Sequence, residues 1–187
     1  MPTEANTKIA FVDAVPMWLA VAITVLVSMP FGLWLGEFNL ALWCSFIVWA
    51  EYFALGARPS SLRLILPSFS YAAAMTALIL WSIPLFAFLP DLLVKNDLRV
   101  STALFLGIAA LVYTMRFSRV FQDGSLPFFN GISMALAVYF TGSYPDVGLP
   151  AAAPLVAGAW TIVLGVFGCG LGVFNVWITF PRPKSAQ

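Results

Sequence analysis

Residues 152–178 read AAPLVAGAWTIVLGVFGCGLGVFNVWI, a run of 27 residues without a single charged side chain. A helix of this length rises about 40 Å, and about 20 apolar residues are enough to cross a bilayer. The run therefore predicts a membrane-spanning helix near the end of the sequence.

The whole chain has the composition of a membrane protein. Its 187 residues are 61% hydrophobic and only 9% charged, whereas an ordinary soluble domain is about 25% charged. Nine basic and eight acidic side chains could not cover the surface of a soluble protein of this size, and a net charge of +1 gives no basic field for nucleic acid. Composition therefore excludes a soluble domain, a disordered chain and a nucleic-acid-binding protein, and it makes the lipid bilayer the expected partner.

Hydropathy predicts an all-α polytopic membrane protein with six transmembrane helices and short connections. The predicted spans are residues 14–36, 38–56, 62–86, 100–117, 126–142 and 152–178. We expect a single membrane domain, divided into an N-terminal segment 1–13, a three-helix unit 14–95, a second three-helix unit 96–178 and a tail 179–187.

Lysine and arginine placement predicts which ends of these helices face the cytoplasm, since short cytoplasmic segments are enriched in basic residues. Six spans place both termini on one side of the membrane. Seven basic residues then fall on that side and two on the other: Lys8, Arg58, Arg63, Arg116, Arg119, Arg182 and Lys184 against Lys95 and Arg99. The sequence thus predicts that both termini are cytoplasmic.

A short motif occurs twice at one spacing. AEYF at residues 50–53 matches AVYF at residues 137–140, and Pro67 and Pro154 are separated by the same interval. In each copy the motif ends one predicted span and the proline begins the next. Because a unit of three spans has an odd number of crossings, its second copy is inverted in the membrane. Inverted repeats are the architecture of many channels and transporters. The alternative is a duplication retained only for packing.

Two segments resemble the bacterial inner-membrane family catalogued as domain of unknown function 1097. The first, LWCSFIVWAEYFA at residues 42–54, is similar to the Trp-rich helix that ends in an A-Y-F-A-like sequence in that family. The second, LPFFNGISMALAVYFTG at residues 126–142, is similar to its F-x-P-G-x-x-x-A-x-x-x-F-A-G segment. Glu51 departs from the small or apolar residue expected there. The resemblance implies a multi-pass protein of the bacterial inner membrane and implies no substrate.

Glu51 is the strongest candidate for a functional residue. An ionisable side chain within a span is costly and is a functional hypothesis by default. Glu51 could couple protons, bind a cation or hydrogen-bond an amide-like solute. The alternatives are a carboxylate that reaches the interface, or one that pairs with Arg58 or Arg63.

Other polar and aromatic residues extend this candidate site. Asn130 lies beside aromatic residues at the start of the fifth span, where it could line a constriction. The alternative for Asn130 is an interhelical hydrogen bond. The predicted substrate path comprises Glu51, Asn130, Trp43, Tyr52, Phe129 and Tyr139. Asn175, near the end of the sixth span, is interpreted as an interhelical hydrogen-bonding group.

Glycines make one side of the sixth span thin. Gly168 and Gly172 have the G-x-x-x-G spacing that allows close helix approach, and Gly165 lies near them. We interpret these three as helix-packing positions, within the chain or against a neighbour, which leaves a homo-oligomer open. Cys44 and Cys169 lie in apolar segments and are interpreted as small core residues.

Catalysis is not expected. The chain has no histidine, and it contains no metal-binding cluster, nucleophile elbow or phosphate loop. We therefore expect no enzyme activity, no metal and no cofactor. The leading hypothesis is a channel or transporter for a small neutral or weakly charged solute. The rival is a non-transporting accessory subunit of a larger membrane complex.

Overall fold

The computed structural model describes residues 11–34, 41–179 and 181–183, and this part of the chain is helical apart from two three-residue strands. Strand β1 (Phe11–Asp13) pairs antiparallel with β2 (Pro181–Pro183), so the two ends of the described chain meet. The α-helices are α1 (Met17–Trp34), α2 (Leu42–Ala54), α3 (Leu62–Trp81), α4 (Asp97–Thr114), α5 (Arg119–Asp123), α6 (Ser125–Phe140) and α7 (Ala153–Thr179). Lys8 and Lys184 lie outside the described residues.

Short 3₁₀ turns lengthen three of the helices. Pro59–Ser61 and Ile83–Phe86 flank α3, Met115–Phe117 follows α4, and Pro150–Ala152 precedes α7. With these turns, three helical segments are long and apolar enough to cross a membrane: Pro59–Phe86, Asp97–Phe117 and Pro150–Thr179. The structure thus confirms the coarse prediction of a helical protein with helices long and apolar enough to cross a membrane.

Three further apolar helices are shorter: Met17–Leu33, Leu42–Ala54 and Ser125–Phe140. The 13 residues of α2 rise only about 20 Å, compared with about 30 Å for the hydrocarbon core of a bilayer. Each predicted span therefore coincides with an apolar helix, but only three of these helices reach spanning length.

Local backbone geometry explains why α2 ends before its hydropathy does. Gly56 and Ala57 both have positive φ angles, of 94° and 52°. The amide of Gly56 donates to the carbonyl of Phe53, and the amide of Ala57 donates to the carbonyl of Tyr52 at 2.8 Å. These bonds form a Schellman-type termination that satisfies the last carbonyls of the helix.

Close glycine contacts show that α2 lies parallel to α7. Gly168 abuts the carbonyl of Ser45, and a Cβ on Gly172 would lie 2.8 Å from Cδ1 of Tyr52. From the first contact to the second, the residue number rises along both helices, so the two helices run in the same direction. Ser45 also donates its hydroxyl to the carbonyl of Leu164 at 2.8 Å.

Helix α3 lies parallel to α6 by the same reasoning. A Cβ on Gly124, just before α6, would lie 3.1 Å from the carbonyl of Leu64, and one on Gly131 would lie 3.0 Å from Cβ of Ala72. In contrast, α3 and α7 are antiparallel, because Gly158 abuts Ala77 whereas Gly165 abuts Phe69.

These directions define two ends of the bundle. The first end holds the starts of α1, α3 and α6 and the ends of α2, α4 and α7, because α4 and α1 run antiparallel to α3 and α7 respectively. The contacts that show this are Gly107 with Ile79, Tyr71 with Thr114, Thr24 with Asn175, and Phe31 with Phe167. The second end holds the opposite termini of the same helices.

The buried core lies where α2, α3, α6 and α7 meet. Its members include Cys44, Val48, Phe69, Val138 and Leu164. A second cluster joins α3, α6 and α4. Helix α4 lies at the edge of the bundle, because only 11% of the most apolar stretch of Asp97–Phe117 is buried inside the protein.

Candidate functional site: a buried carboxyl–amide pair

Glu51 of α2 and Asn130 of α6 form a direct side-chain hydrogen bond. The amide Nδ2 of Asn130 donates to Oε1 of Glu51 at 2.5 Å. Glu51 is only 2% exposed, and Asn130 is partly buried. We refer to these two residues as the carboxyl–amide pair.

Helical geometry brings the carboxyl–amide pair together. Glu51 lies one turn before the end of α2, on the buried face that also carries Val48 and Cys44 at spacings of three and seven residues. Asn130 lies in the second turn of α6. Both helices therefore place their polar side chain near the first end of the bundle.

Burial of Glu51 contradicts the interpretation that its carboxylate reaches the membrane interface. Arg58 and Arg63, the two cations considered as partners, are both exposed. The bonding partner of the carboxyl is an amide from another helix, 79 residues away in sequence.

The second carboxyl oxygen of Glu51 is the unusual atom of the site. Oε2 is buried and has no hydrogen-bond partner among the described residues. Leaving a buried polar atom unpaired costs about 1–3 kcal/mol, and more when it is charged. The carboxyl–amide pair therefore has an unused hydrogen-bonding position that a small ligand with a donor group would satisfy.

A second buried polar contact joins α1 to α7. Nδ2 of Asn175 donates to Oγ1 of Thr24 at 2.9 Å, and both residues are fully buried. This confirms the interpretation of Asn175 as an interhelical hydrogen-bonding group. The Oδ1 atom of Asn175 is, like Oε2 of Glu51, buried without a partner in the described structure.

The remaining residues of the predicted path lie elsewhere. Tyr52 is buried and packs on α7, although it is the sequence neighbour of Glu51. Phe129 and Trp43 point outward, with 48% and 40% of their surfaces exposed. Tyr139 lies near the second end of α6, away from the carboxyl–amide pair. The structure thus joins two of the six predicted residues and separates the other four from them.

A cavity opens at the second end of the bundle. Its volume is about 450 Å³, within the range of small-molecule sites. Its walls come from the ends of α3 and α6 and the starts of α4 and α7. The residues that line it include Trp81, Pro84, Asn96, Arg99, Tyr139 and Pro154. Of these residues, only Tyr139 was predicted from the sequence to belong to a functional site. Asn96 lies just before α4 and Arg99 in its first turn, and neither belongs to a recognisable motif.

Stacked tyrosines line a hollow next to this cavity. The rings of Tyr139 and Tyr144 stack with centroids 6.2 Å apart, and both residues line the hollow. Burial raises the pKa of Tyr144 above its ordinary value, and nearby Tyr139 and Asp146 act in the same direction. The phenol of Tyr144 therefore stays neutral at physiological pH.

Most glycines of α7 face other helices of the same chain. A Cβ on Gly165 would lie 2.5 Å from the ring of Phe69, while Gly168 and Gly172 abut Ser45 and Tyr52. Gly170 has no atom within 4 Å of the corresponding position. Three glycines thus allow the helices of this chain to approach closely, and a fourth faces open space.

Metal-ligating side chains do not gather in the part of the chain that the structure describes. No group of three or more Cys, Asp or Glu residues is placed there to hold an ion. Cys44 and Cys169 are both buried as free thiols.

Comparison of the chain with protein families, with characterised proteins and with solved structures found no match in any of the three. The resemblance to domain of unknown function 1097 stays a prediction from the two segments quoted above. Any statement about function therefore depends on the residues of this chain.

Proposed function

We propose that the chain is a six-span channel or transporter of the bacterial inner membrane, built from two inverted three-helix units, for a small neutral or weakly charged solute. The observation that carries the proposal is the carboxyl–amide pair with its unpartnered Oε2. A buried, incompletely satisfied carboxyl within a membrane protein is the kind of group that marks substrate pathways.

Helix packing supports the inverted units. If α2 and α3 correspond to α6 and α7, the contact of α2 with α7 corresponds to the contact of α6 with α3. Both contacts are extensive and both are parallel, while α3 and α7 cross antiparallel at the centre. An axis in the membrane plane that exchanges the two units would produce this arrangement.

The helix directions also support six crossings. Consecutive apolar helices alternate in direction. Helix α1 begins at the first end of the bundle, and α7 ends there. The pairing of β1 with β2 brings the two ends of the described chain together, as an even number of crossings requires. Arg58, Arg63, Arg116 and Arg119 lie at the first end, which favours a cytoplasmic location for it.

The rival function, a non-transporting accessory subunit, receives less support. Two features of the sequence motivate it: the short connections, and the glycine-rich sixth span, which offers a surface for a partner helix. That surface is instead covered by this chain: its own side chains or backbone lie against Gly158, Gly165, Gly168 and Gly172. Only Gly170 leaves open space on that helix within the described structure.

A swelling assay on proteoliposomes tests the proposal. Urea, short amides, ammonia, formate and glycerol would be presented to purified protein by stopped flow at two pH values. Glu51→Gln is the informative variant, because Asn130 can still donate to the remaining oxygen while the unpartnered oxygen becomes an amide donor. Asp123→Asn makes the same chemical change at an exposed position near the first end and is the matched control.

We expect at least one solute to enter faster than into empty liposomes, with a rate that Glu51→Gln changes and Asp123→Asn does not. If no solute exceeds empty liposomes, the transport proposal fails. Co-purification from native membranes at fixed stoichiometry with a second protein would then favour the accessory subunit.

A further inference from the structure

The connection between α3 and α4 exposes an unusual number of large apolar side chains. Leu85, Phe88 and Leu93 are 75%, 77% and 88% exposed, and Leu92 and Val94 are also strongly exposed. We refer to residues 83–94 as the apolar loop. It lies at the second end of the bundle, next to the cavity but with these side chains directed away from the protein.

The backbone of the apolar loop is held from within. One carboxylate, that of Asp97, accepts hydrogen bonds from the amides of Leu92 at 2.9 Å, Leu93 at 2.6 Å and Val94 at 3.2 Å. The carboxylate of Asp97 therefore fixes the tip of the loop, which carries the most exposed leucine.

Further bonds inside the loop complete this pattern. Amides of residues 85, 87 and 89 donate to carbonyls three positions earlier. Asp91 accepts from the amide of Asn96 at 2.7 Å, and Nε of Arg99 donates to the carbonyl of Leu89 at 3.2 Å. These bonds hold the backbone of the loop, while its large apolar side chains are exposed.

This combination suits lipid better than water or a protein partner. Water disfavours a contiguous exposed apolar patch. Irregular backbone tolerates an apolar medium only where its polar groups are already bonded. A protein partner at a loop would usually use backbone hydrogen bonds for register, and the amides of residues 85, 87, 89 and 92–94 are already engaged here.

Flanking helices place the loop at one surface of the membrane. Both segments that it connects, Pro59–Phe86 and Asp97–Phe117, are long and apolar enough to cross a membrane. Trp81, at the end of α3, is exposed as expected for an aromatic residue at the interface. We propose that the apolar loop inserts its exposed apolar side chains into the lipid leaflet at the second end of the bundle, as an anchor that does not cross the membrane.

Spin-label accessibility tests this inference independently of transport. A nitroxide would be attached at Leu93→Cys in the full-length chain, with Cys44→Ala and Cys169→Ala as background, in vesicles of phosphatidylethanolamine and phosphatidylglycerol. Oxygen partitions into lipid, whereas a nickel chelate stays in water. Phe105→Cys, on the exposed face of α4, is the lipid reference, and Val147→Cys, in the α6–α7 connection at the second end, is the loop reference.

We expect the label at Leu93 to resemble the label at Phe105, with oxygen accessibility several-fold above nickel accessibility. Nickel accessibility as high as at Val147 would overturn the inference, because the loop would then lie in water. Low accessibility to both reagents would also overturn it, because a protein surface such as a second copy of the chain would then cover the loop.

A second arrangement keeps the test decisive if the alanine background does not fold. The same labels would be introduced into the chain with its native cysteines, which are buried. Wild type treated with the reagent then supplies the blank. Leu93 is exposed, so its replacement removes no core contact.

Discussion

Two glycines on one helix should respond in opposite ways to the same substitution. Gly168 and Gly170 both lie within α7 and are two residues apart. A Cβ at Gly168 would overlap the carbonyl of Ser45 and lie 2.9 Å from Cβ of Val48, whereas a Cβ at Gly170 would meet nothing within 4 Å. We expect Gly168→Ala to destabilise the protein and Gly170→Ala to leave it as stable or more so.

The magnitude follows from the contacts. Overpacking a close interface costs about 1–3 kcal/mol, and the atoms in the way at Gly168 belong to the backbone of α2, which cannot rotate aside. Moving α2 also weakens the bond from Ser45 to Leu164, and such bonds in membranes average about 0.6 kcal/mol. Replacing glycine by alanine inside a helix returns about 0.5–1 kcal/mol. We therefore expect a net loss of about 0.5–3 kcal/mol for Gly168→Ala.

Thermal unfolding in detergent, followed by tryptophan fluorescence, measures both variants against wild type. A change of 1 kcal/mol shifts Tm by about 2–4 °C for a protein of this size. Gly168→Ala should therefore melt below wild type, and Gly170→Ala at or above it. If Gly168→Ala melts as high as Gly170→Ala, the close contact between α2 and α7 is not a feature of the folded protein.

Three further substitutions test polar contacts. Asn130→Ala leaves both oxygens of Glu51 unpaired and should cost about 1–3 kcal/mol; adding Glu51→Met should restore most of the lost Tm, and equal melting of the single and double variants would contradict the pair. Thr24→Val keeps the side-chain shape but removes the acceptor of Asn175, so Tm should fall in step with a loss of about 0.6–2 kcal/mol, and an unchanged Tm would argue against that bond. Asp97→Ala should speed hydrogen exchange of the amides that its carboxylate binds by roughly tenfold or more, as measured by mass spectrometry, whereas unchanged exchange would show that the loop is held by other contacts.

Hydropathy located every apolar helix but not its length. The prediction of residues 38–56 extends beyond the end of α2, because the Schellman turn at Gly56 and Ala57 stops the helix while the sequence is still apolar. The pairing of β1 with β2 was not predicted either. Three-residue strands carry too little periodicity to be recognised, and their partner lies at the other end of the chain.

The candidate site was predicted in its members but not in its geometry. Glu51 and Asn130 were selected for their polarity, and nothing in the sequence showed that they would bond across 79 residues. Phe129 and Tyr52 were added because they adjoin those two residues. Consecutive residues on a helix point about 100° apart, so a sequence neighbour of a buried polar residue faces a different side.

The two ends of the bundle differ, and this difference limits how the proposed transport could work. Tyr52, in the first motif, is packed against Gly172 of α7, while Tyr139, in the second motif, lines an open cavity. Between Tyr139 and Asn130, α6 advances about 13 Å, and its inward residues there include Ile132, Ala135 and Val138, all buried. A solute that enters the cavity therefore reaches the carboxyl–amide pair only if helices of the bundle move. On the proposed function, uptake should saturate with solute concentration as in a carrier, and a rate that rises linearly over a wide concentration range would require a continuous pore that these packed side chains close.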